Sequence, residues 1–232
     1  MRKLKDLFDN KSDSACYFIA DIAANHDGSL SKAKDLIHAA AESGANAAKF
    51  QNFKAKTIVS DHGFKEIGKN LSHQSKWNKS VFKTYESAEL PLDWTEELKE
   101  ECNKKKIEYF TASYDFNFTK KIREYTDIMK IGSGEITWHS HLKLIAELYP
   151  YVIMATGASN LNEVKQAMSF FKKNKTVLMQ CNTNYTAFNG EDFTATRERL
   201  KCINLQVLKT FSENFPETIL GLSDHTLGSL TV

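Results

Sequence analysis

The chain has 232 residues, 41% of them hydrophobic, with 31 basic against 29 acidic side chains and a formal net charge of +2. That length buries one large core or two small ones, and falls slightly short of the roughly 250 residues common in an α/β barrel. The near-neutral balance gives no electrostatic reason to expect nucleic acid or a membrane surface as partner, and no apolar stretch approaches the ~18 residues of a spanning helix.

Other global features agree. Met1 to Asn10 is mixed-charge and lacks the apolar region of a signal peptide. Cys16, Cys102, Cys181 and Cys202 are scattered with no C-x-x-C pair, which argues against a disulfide framework or a structural zinc site. A cytoplasmic protein is expected.

In chain order, short apolar runs predict seven strands: Tyr17–Ala20, Ala47–Phe50, Ile107–Phe110, Ile128–Ile131, Tyr151–Met154, Thr176–Met179 and Thr218–Leu220. Helical periods separate them. Ala33, Leu36, Ile37, Ala40 and Ala41 fall on one helical face, and Gly44 supplies the stop. Trp94, Leu98 and Cys102 mark a helix before the third run. Leu161, Val164, Met168 and Phe171 mark one before the sixth, and Leu200, Ile203, Leu208 and Phe211 one before the seventh. The connection from Lys54 to Leu92 is longer and polar, and reads as a lid-like insertion with a short helix at Ser80–Ser87. Regular βα alternation means a parallel sheet, because parallel neighbours need crossover helices. Seven such units favour an α/β fold of the TIM (β/α)8 type over an open doubly wound sheet, although periodicity leaves the open sheet standing. No G-x-G-x-x-G follows the first run and there is no P-loop.

In a parallel barrel, chemistry gathers where strands point. The runs exit into Asp21 and Asn25-His26-Asp27-Gly28; Lys49 and Gln51; Thr111 to Asp115; Lys130 and Gly132-Ser133-Gly134-Glu135; Ala155-Thr156-Gly157; Gln180 to Tyr185; and Ser223-Asp224-His225. Lys49 and Lys130 stand inside apolar strands, where a lysine costs several kcal/mol unless its charge is compensated. They are either structural lysines paired with Asp21 and Glu135, or part of a pocket for a phosphate or carboxylate. The surrounding hydroxyls, and the backbone N–H groups that Gly132 and Gly134 expose, favour the anion pocket. His225 reads as a structural residue, a general base or one ligand of a divalent cation; one imidazole is not a metal site. Asp224 points away from His225 on a strand, His139 and His141 mark the start of the fourth helix, and His26 shapes a tight turn.

With these residues in place, the chain resembles the sialic acid synthase family, phosphoenolpyruvate-condensing enzymes that make N-acetylneuraminate and related nonulosonic acids. The matching stretches are FIADIAANHDGSLSKAKDLIHAAAESGANAAKFQ, ELPLDWTEELKEEC, MKIGSGEITWH, VIMATGASNLNEV and GLSDHTLG. They occur in this order from about residue 17 onward; KIGSGE and SDHT are specific when found together.

The resemblance implies a TIM barrel that condenses phosphoenolpyruvate with an N-acylated amino sugar aldehyde, using manganese or magnesium. It implies that Lys49, Thr111, Lys130, Ser133 and Ser223 contact phosphoenolpyruvate, with Thr183 at a further anion contact. Gln51, Glu135 and Tyr185 hold or orient the sugar, Glu135, Lys130 and Asp21 serve catalysis, and His225 is one of two metal-binding histidines. Asp21 stands where the family has Glu and Ala155 where a Ser is common. The run Asn182 to Ala187 replaces a Tyr-Pro run, and the CNTNYT and ITWH runs look like a distinct branch, so the acceptor implied is N-acetylmannosamine or a diacetamido hexose leading to a legionaminate-like product. The resemblance also implies residues 1–16 as an N-terminal extension and 17–232 as a barrel with seven of its eight strands. The eighth strand, a C-terminal antifreeze-like domain and a homodimer are expected only of a longer protein, and this chain alone is expected to be inactive. Alternatives are a heptulosonate- or octulosonate-type synthase on the same barrel, or a non-catalytic barrel that binds an acidic sugar or a partner.

Overall fold

The computed structural model describes residues 1–9, 15–66, 77–182 and 203–226. It divides into two compact units, Met1–Asp127 and Ile128–Val232. The boundary falls inside the βα alternation, between the helix Phe116–Ile122 and the fourth strand.

The first unit holds β1 (Ile19–Ala23), β2 (Ala47–Asn52) and β3 (Glu108–Ser113), all parallel. Helix α1 (Asp6–Asp9) precedes them, and α2 (Leu30–Glu42) connects β1 to β2. Ser29 caps α2 by accepting the Lys32 N–H, and Gly44 ends it at φ 85°, a left-handed conformation that an L side chain resists. Ala33, Ile37 and Ala40 form its buried stripe. They pack with Leu98 and Cys102 of α6 (Trp94–Lys104) against Ala48, Phe50 and Tyr109 of the sheet. This assigns Ala48 and Phe50 to the helix-covered face of β2, and Lys49 and Gln51 to the opposite one.

The insertion between β2 and α6 carries α3 (Ala55–Ile58), α4 (Asp61–Glu66) and α5 (Val81–Ser87). Ser80 caps α5, as the sequence predicts. Helix α7 (Phe116–Ile122) follows β3, capped by Asp115.

Two expectations for this unit change. Strand β1 begins two residues later than predicted and continues through Ala23, because the Tyr17 hydroxyl turns aside to Glu108 at 2.6 Å. The same carboxylate accepts the Leu4 N–H at 2.8 Å, and Leu4 is only 1% exposed. Leu4 is therefore part of the first unit's core, where the sequence predicts no core residue.

The second unit holds β4 (Ile128–Ile131), β5 (Tyr151–Ala155), β6 (Lys175–Cys181) and β7 (Ile219–Ser223), again parallel and in sequence order. Helix α8 (His139–Leu148) lies between β4 and β5; α9 (Leu161–Met168), with a capping box at Asn160 and Glu163, and a 3₁₀ turn lie between β5 and β6; α10 (Val207–Asn214) precedes β7. His139 opens α8, as expected. All seven predicted strands are present. No helix among the described residues is long and apolar enough to cross a membrane.

Leu98 is fully buried between α6 and the first unit's sheet. Leu98→Ala should lower unfolding stability by about 2–4 kcal/mol, read as a reduced urea midpoint at unchanged slope.

Candidate active site

Strand parity builds the site, one unit at a time. In the first unit, Asp21 is in register with Lys49, and Lys49 Nζ meets Asp21 Oδ1 at 2.6 Å. The pair is lopsided: the lysine side chain is 7% exposed and the aspartate 52%. Just beyond it, β1 is irregular between Asp21 and Ala23, and Ala23 takes φ 53°. The turn after β1 then carries Asp27 at φ 48° and Gly28 at φ 73°. Buried His26 fixes that turn by accepting the Gly28 N–H on Nδ1 at 3.1 Å, with its ring edge-on to Trp94. Burial lowers the His26 imidazole from its ordinary value. This is the structural role its sequence position suggests.

Gln51 lies two residues past Lys49 and shares its face. Its amide Nε2 donates to the Tyr114 hydroxyl at 3.0 Å.

Thr111 is a correction. It is in register with Phe50, so it shares the helix-covered face and points away from Lys49 and Gln51. Its hydroxyl is fully buried and donates to Asn52 Oδ1 at 2.7 Å. The β3 residues that share the face of Lys49 and Gln51 are their register partners Phe110 and Ala112, which have no hydroxyl to offer.

In the second unit, Lys130 is in register with Ile153, Ile153 with Val177, and Val177 with Ile219. Counting in twos from that row puts Ala155, Met179, Gly221, Cys181 and Ser223 on the same face as Lys130. Cys181 and Ser223 form the last matched pair. Gly221 sits beneath them because Met179 leans over it: a Cβ there would lie 3.1 Å from Met179 Cε. Ala155 is buried on this face, at the position where a serine would have added a hydroxyl. Lys130 Nζ donates to the Ile131 carbonyl at 2.8 Å, which turns the ammonium toward the C-terminal end of the strand. Beyond it, the turn holding Ser133 and Glu135 is closed by Glu135 N–H to Gly132 O at 3.2 Å.

Cys181 is the residue that sequence reasoning missed, although its two-residue offset from Met179 carried the signal. Burial raises its thiol, but hydrogen bonds with His225 and Ser223 and the charges of His225 and Lys130 outweigh burial, and it titrates below its ordinary value. Cys102, buried among apolar groups, is instead pushed up to about 12. His225 is thus held beside Cys181, while Asp224 turns to Thr226, accepting its N–H at 3.0 Å and its hydroxyl at 2.8 Å. Ser223 and His225 do not form a nucleophile–base pair oriented by Asp224.

Thr183 and Tyr185 lie outside the described residues. Among the described residues no group of three or more His, Cys, Asp or Glu side chains could hold a metal ion. One imidazole beside one thiol supplies too few ligands to complete by itself a divalent-cation site, which needs several protein ligands.

The NeuB family model matches residues 36–232. The chain is 32% identical to the N,N'-diacetyllegionaminic acid synthase of Legionella pneumophila, over 99% of this chain and 63% of that protein. It is 33% identical to the enzyme of the same name from Campylobacter jejuni, over 90% of this chain and 60% of that protein. Among solved structures, the N-acetylneuraminic acid synthetase of Leptospira borgpetersenii, in complex with citrate, superposes with a TM-score of 0.73 at 27% identity, covering 91% of this chain and 66% of that one. The chain therefore spans about three fifths of the length of these curated relatives, and the likeness bears out the TIM-type α/β architecture expected from sequence.

Removing one partner of an ion pair leaves the other charge uncompensated, which is costly for the nearly buried Lys49 ammonium and mild for the half-exposed Asp21 carboxylate. Asp21→Asn should cost about 1–2 kcal/mol, moderated by the exposure of that carboxylate. Lys49→Met should be near neutral in the same urea titrations. A large loss in Lys49→Met would make Lys49 a structural residue.

Proposed function

The chain belongs to the NeuB family, and from that premise we propose that it serves the condensation of phosphoenolpyruvate with an N-acylated amino sugar to give a nonulosonic acid and phosphate. In that reaction C3 of the enolpyruvate attacks the sugar's aldehyde carbon, water adds at C2, and phosphate leaves by C–O cleavage. The observation that carries the reading is the second unit's strand face, where Lys130, Cys181 and Ser223 lie together with His225 beside them. A lysine and a hydroxyl at a strand's C-terminal end suit a substrate with a phosphate and a carboxylate.

On this reading Lys130 and Ser223 bind the anion, and Ser133 and the N–H groups around Gly132 and Gly134 add donors. Lys49 is a further cation for the same substrate class, paired with Asp21. Gln51 receives the amino sugar, as does Tyr185, and Thr183 adds an anion contact. Glu135 carries a proton. Thr111, committed to Asn52 on the helix-covered face, has no part in binding.

The reading also assigns a divalent cation, manganese or magnesium, with His225 as one ligand. Because the described residues do not complete such a site, the chemistry argued from this chain's own side chains ends at binding and proton transfer. The acceptor we favour is a diacetamido hexose over N-acetylmannosamine, in keeping with the two legionaminic acid synthases. A homodimer in the cytoplasm, where phosphoenolpyruvate is made, completes the proposal.

The test is phosphate release from phosphoenolpyruvate by the complete gene product, supplied with manganese and a panel of N-acyl amino sugars. Acceptor-dependent release is expected, and its absence with every sugar would sink the reading. Chelation with EDTA should stop the release and manganese should restore it. Lys130→Met should raise the KM for phosphoenolpyruvate roughly tenfold or more, the loss expected for a charge-assisted hydrogen bond; an unchanged KM would remove Lys130 from the anion site.

A further inference from the structure

We propose that Tyr114 is a positioning residue that sets the orientation of the Gln51 amide, so that Gln51 presents its carbonyl oxygen to a donor group on the acceptor sugar. The inference rests on the preceding assignment of Gln51 to the sugar, and adds a residue and a direction to it. Gln51 is a flexible side chain at the end of β2, partly exposed on the face it shares with Lys49. Left to itself, it would present either end of its amide. The Tyr114 hydroxyl takes the Nε2 end at 3.0 Å. That commits one of the two N–H groups to the protein and turns Oε1 away from Tyr114, free to accept. An acylamino N–H or a sugar hydroxyl is the group such an oxygen reads.

Tyr114 is built to do this without moving. Its backbone N–H donates to Asn52 O at 3.2 Å, and the next residue, Asp115, caps α7 by accepting the Phe118 N–H at 2.9 Å. Its ring stands edge-on to Phe53, with centroids 6.3 Å apart and planes at 78°. Phe53 is 3% exposed and in turn meets Tyr85 of α5 at 5.6 Å. Tyr85 contacts Trp77 at 6.1 Å. The hydroxyl is thus carried on an aromatic chain running from the end of β2 into the insertion, and the strand supplies only the amide it holds. Orientation fixed before binding lowers the entropy that the ligand must otherwise overcome.

The experiment uses the complete gene product and two substitutions, Tyr114→Phe and Gln51→Leu. Tyr114→Phe keeps the ring on Phe53 and removes only the hydroxyl, so its thermal unfolding should match the wild type. It should raise the KM for the acceptor sugar roughly three- to tenfold, the range of one net hydrogen bond. Both kcat and the KM for phosphoenolpyruvate should stay within about twofold. Added to Gln51→Leu, Tyr114→Phe should have no further effect on sugar KM, because the two act through one hydrogen bond. An unchanged sugar KM in Tyr114→Phe, or a full effect that persists in the Gln51→Leu background, would overturn the inference while leaving the synthase reading intact. A wild-type protein with no acceptor-dependent turnover would overturn both, and would be seen before any variant is compared.

Discussion

Side chains on a strand alternate between two faces, and parallel register carries that alternation from one strand to the next. A polar residue at a strand end therefore becomes available for chemistry or lost beneath the helices according to a single unit of sequence position. In the first unit this parity keeps Lys49 and Gln51 on one face, and consigns Phe50, Asn52 and Thr111 to the face covered by α2 and α6. In the second it gathers Lys130, Cys181 and Ser223. The apolar packing that stabilises each unit is thus the same device that sorts its functional groups.

The energetics of the two lysines follow from where parity puts them. Lys49 is nearly buried, and its charge is tolerable because Asp21 stands beside it in register, itself half in solvent. Such a pair contributes little net stability, since desolvation consumes most of its Coulombic gain. On the proposed reading, such a lysine is kept for what it binds rather than for what it holds up. Lys130 differs: it is less buried, and its ammonium is turned along the strand to a backbone carbonyl, toward the end where a ligand would arrive.

Much of this was legible in the sequence. All seven strands, the capped helix at Val81–Ser87 and the turn role of His26 follow from apolar runs, caps and glycines, because local chemistry determines them. What escaped was set by register and by distant partners. Thr111 belongs to a run of polar residues at a strand end, and only its pairing with Phe50 reveals that it faces the helices. Cys181 looks like an ordinary core cysteine until Ser223 is placed opposite it. Leu4 lies in a segment with little pattern of its own, and is drawn into the core by a carboxylate 104 residues away. Residues 183–202, where sequence put an anion contact and a sugar contact, lie outside the described residues.

The aromatic chain extends this logic from the sheet to the insertion. Lid-like segments are usually credited with closing over a ligand. Phe53 and Tyr85 support a different contribution: they brace a side chain that belongs to the strands. Phe53 follows directly from β2, Tyr114 follows directly from β3, and their edge-on contact joins the two strand ends just past the last register pair. Tyr85, on the other side of Phe53, ties that contact to α5, while the Lys54–Glu89 ion pair at 2.6 Å and the Ala55 N–H to Glu89 at 2.8 Å fasten the start of the insertion to its end. On the proposed reading, a substitution on α5 would alter what Gln51 presents without touching Gln51. Changes of sugar preference among related chains need not lie in residues that meet the sugar.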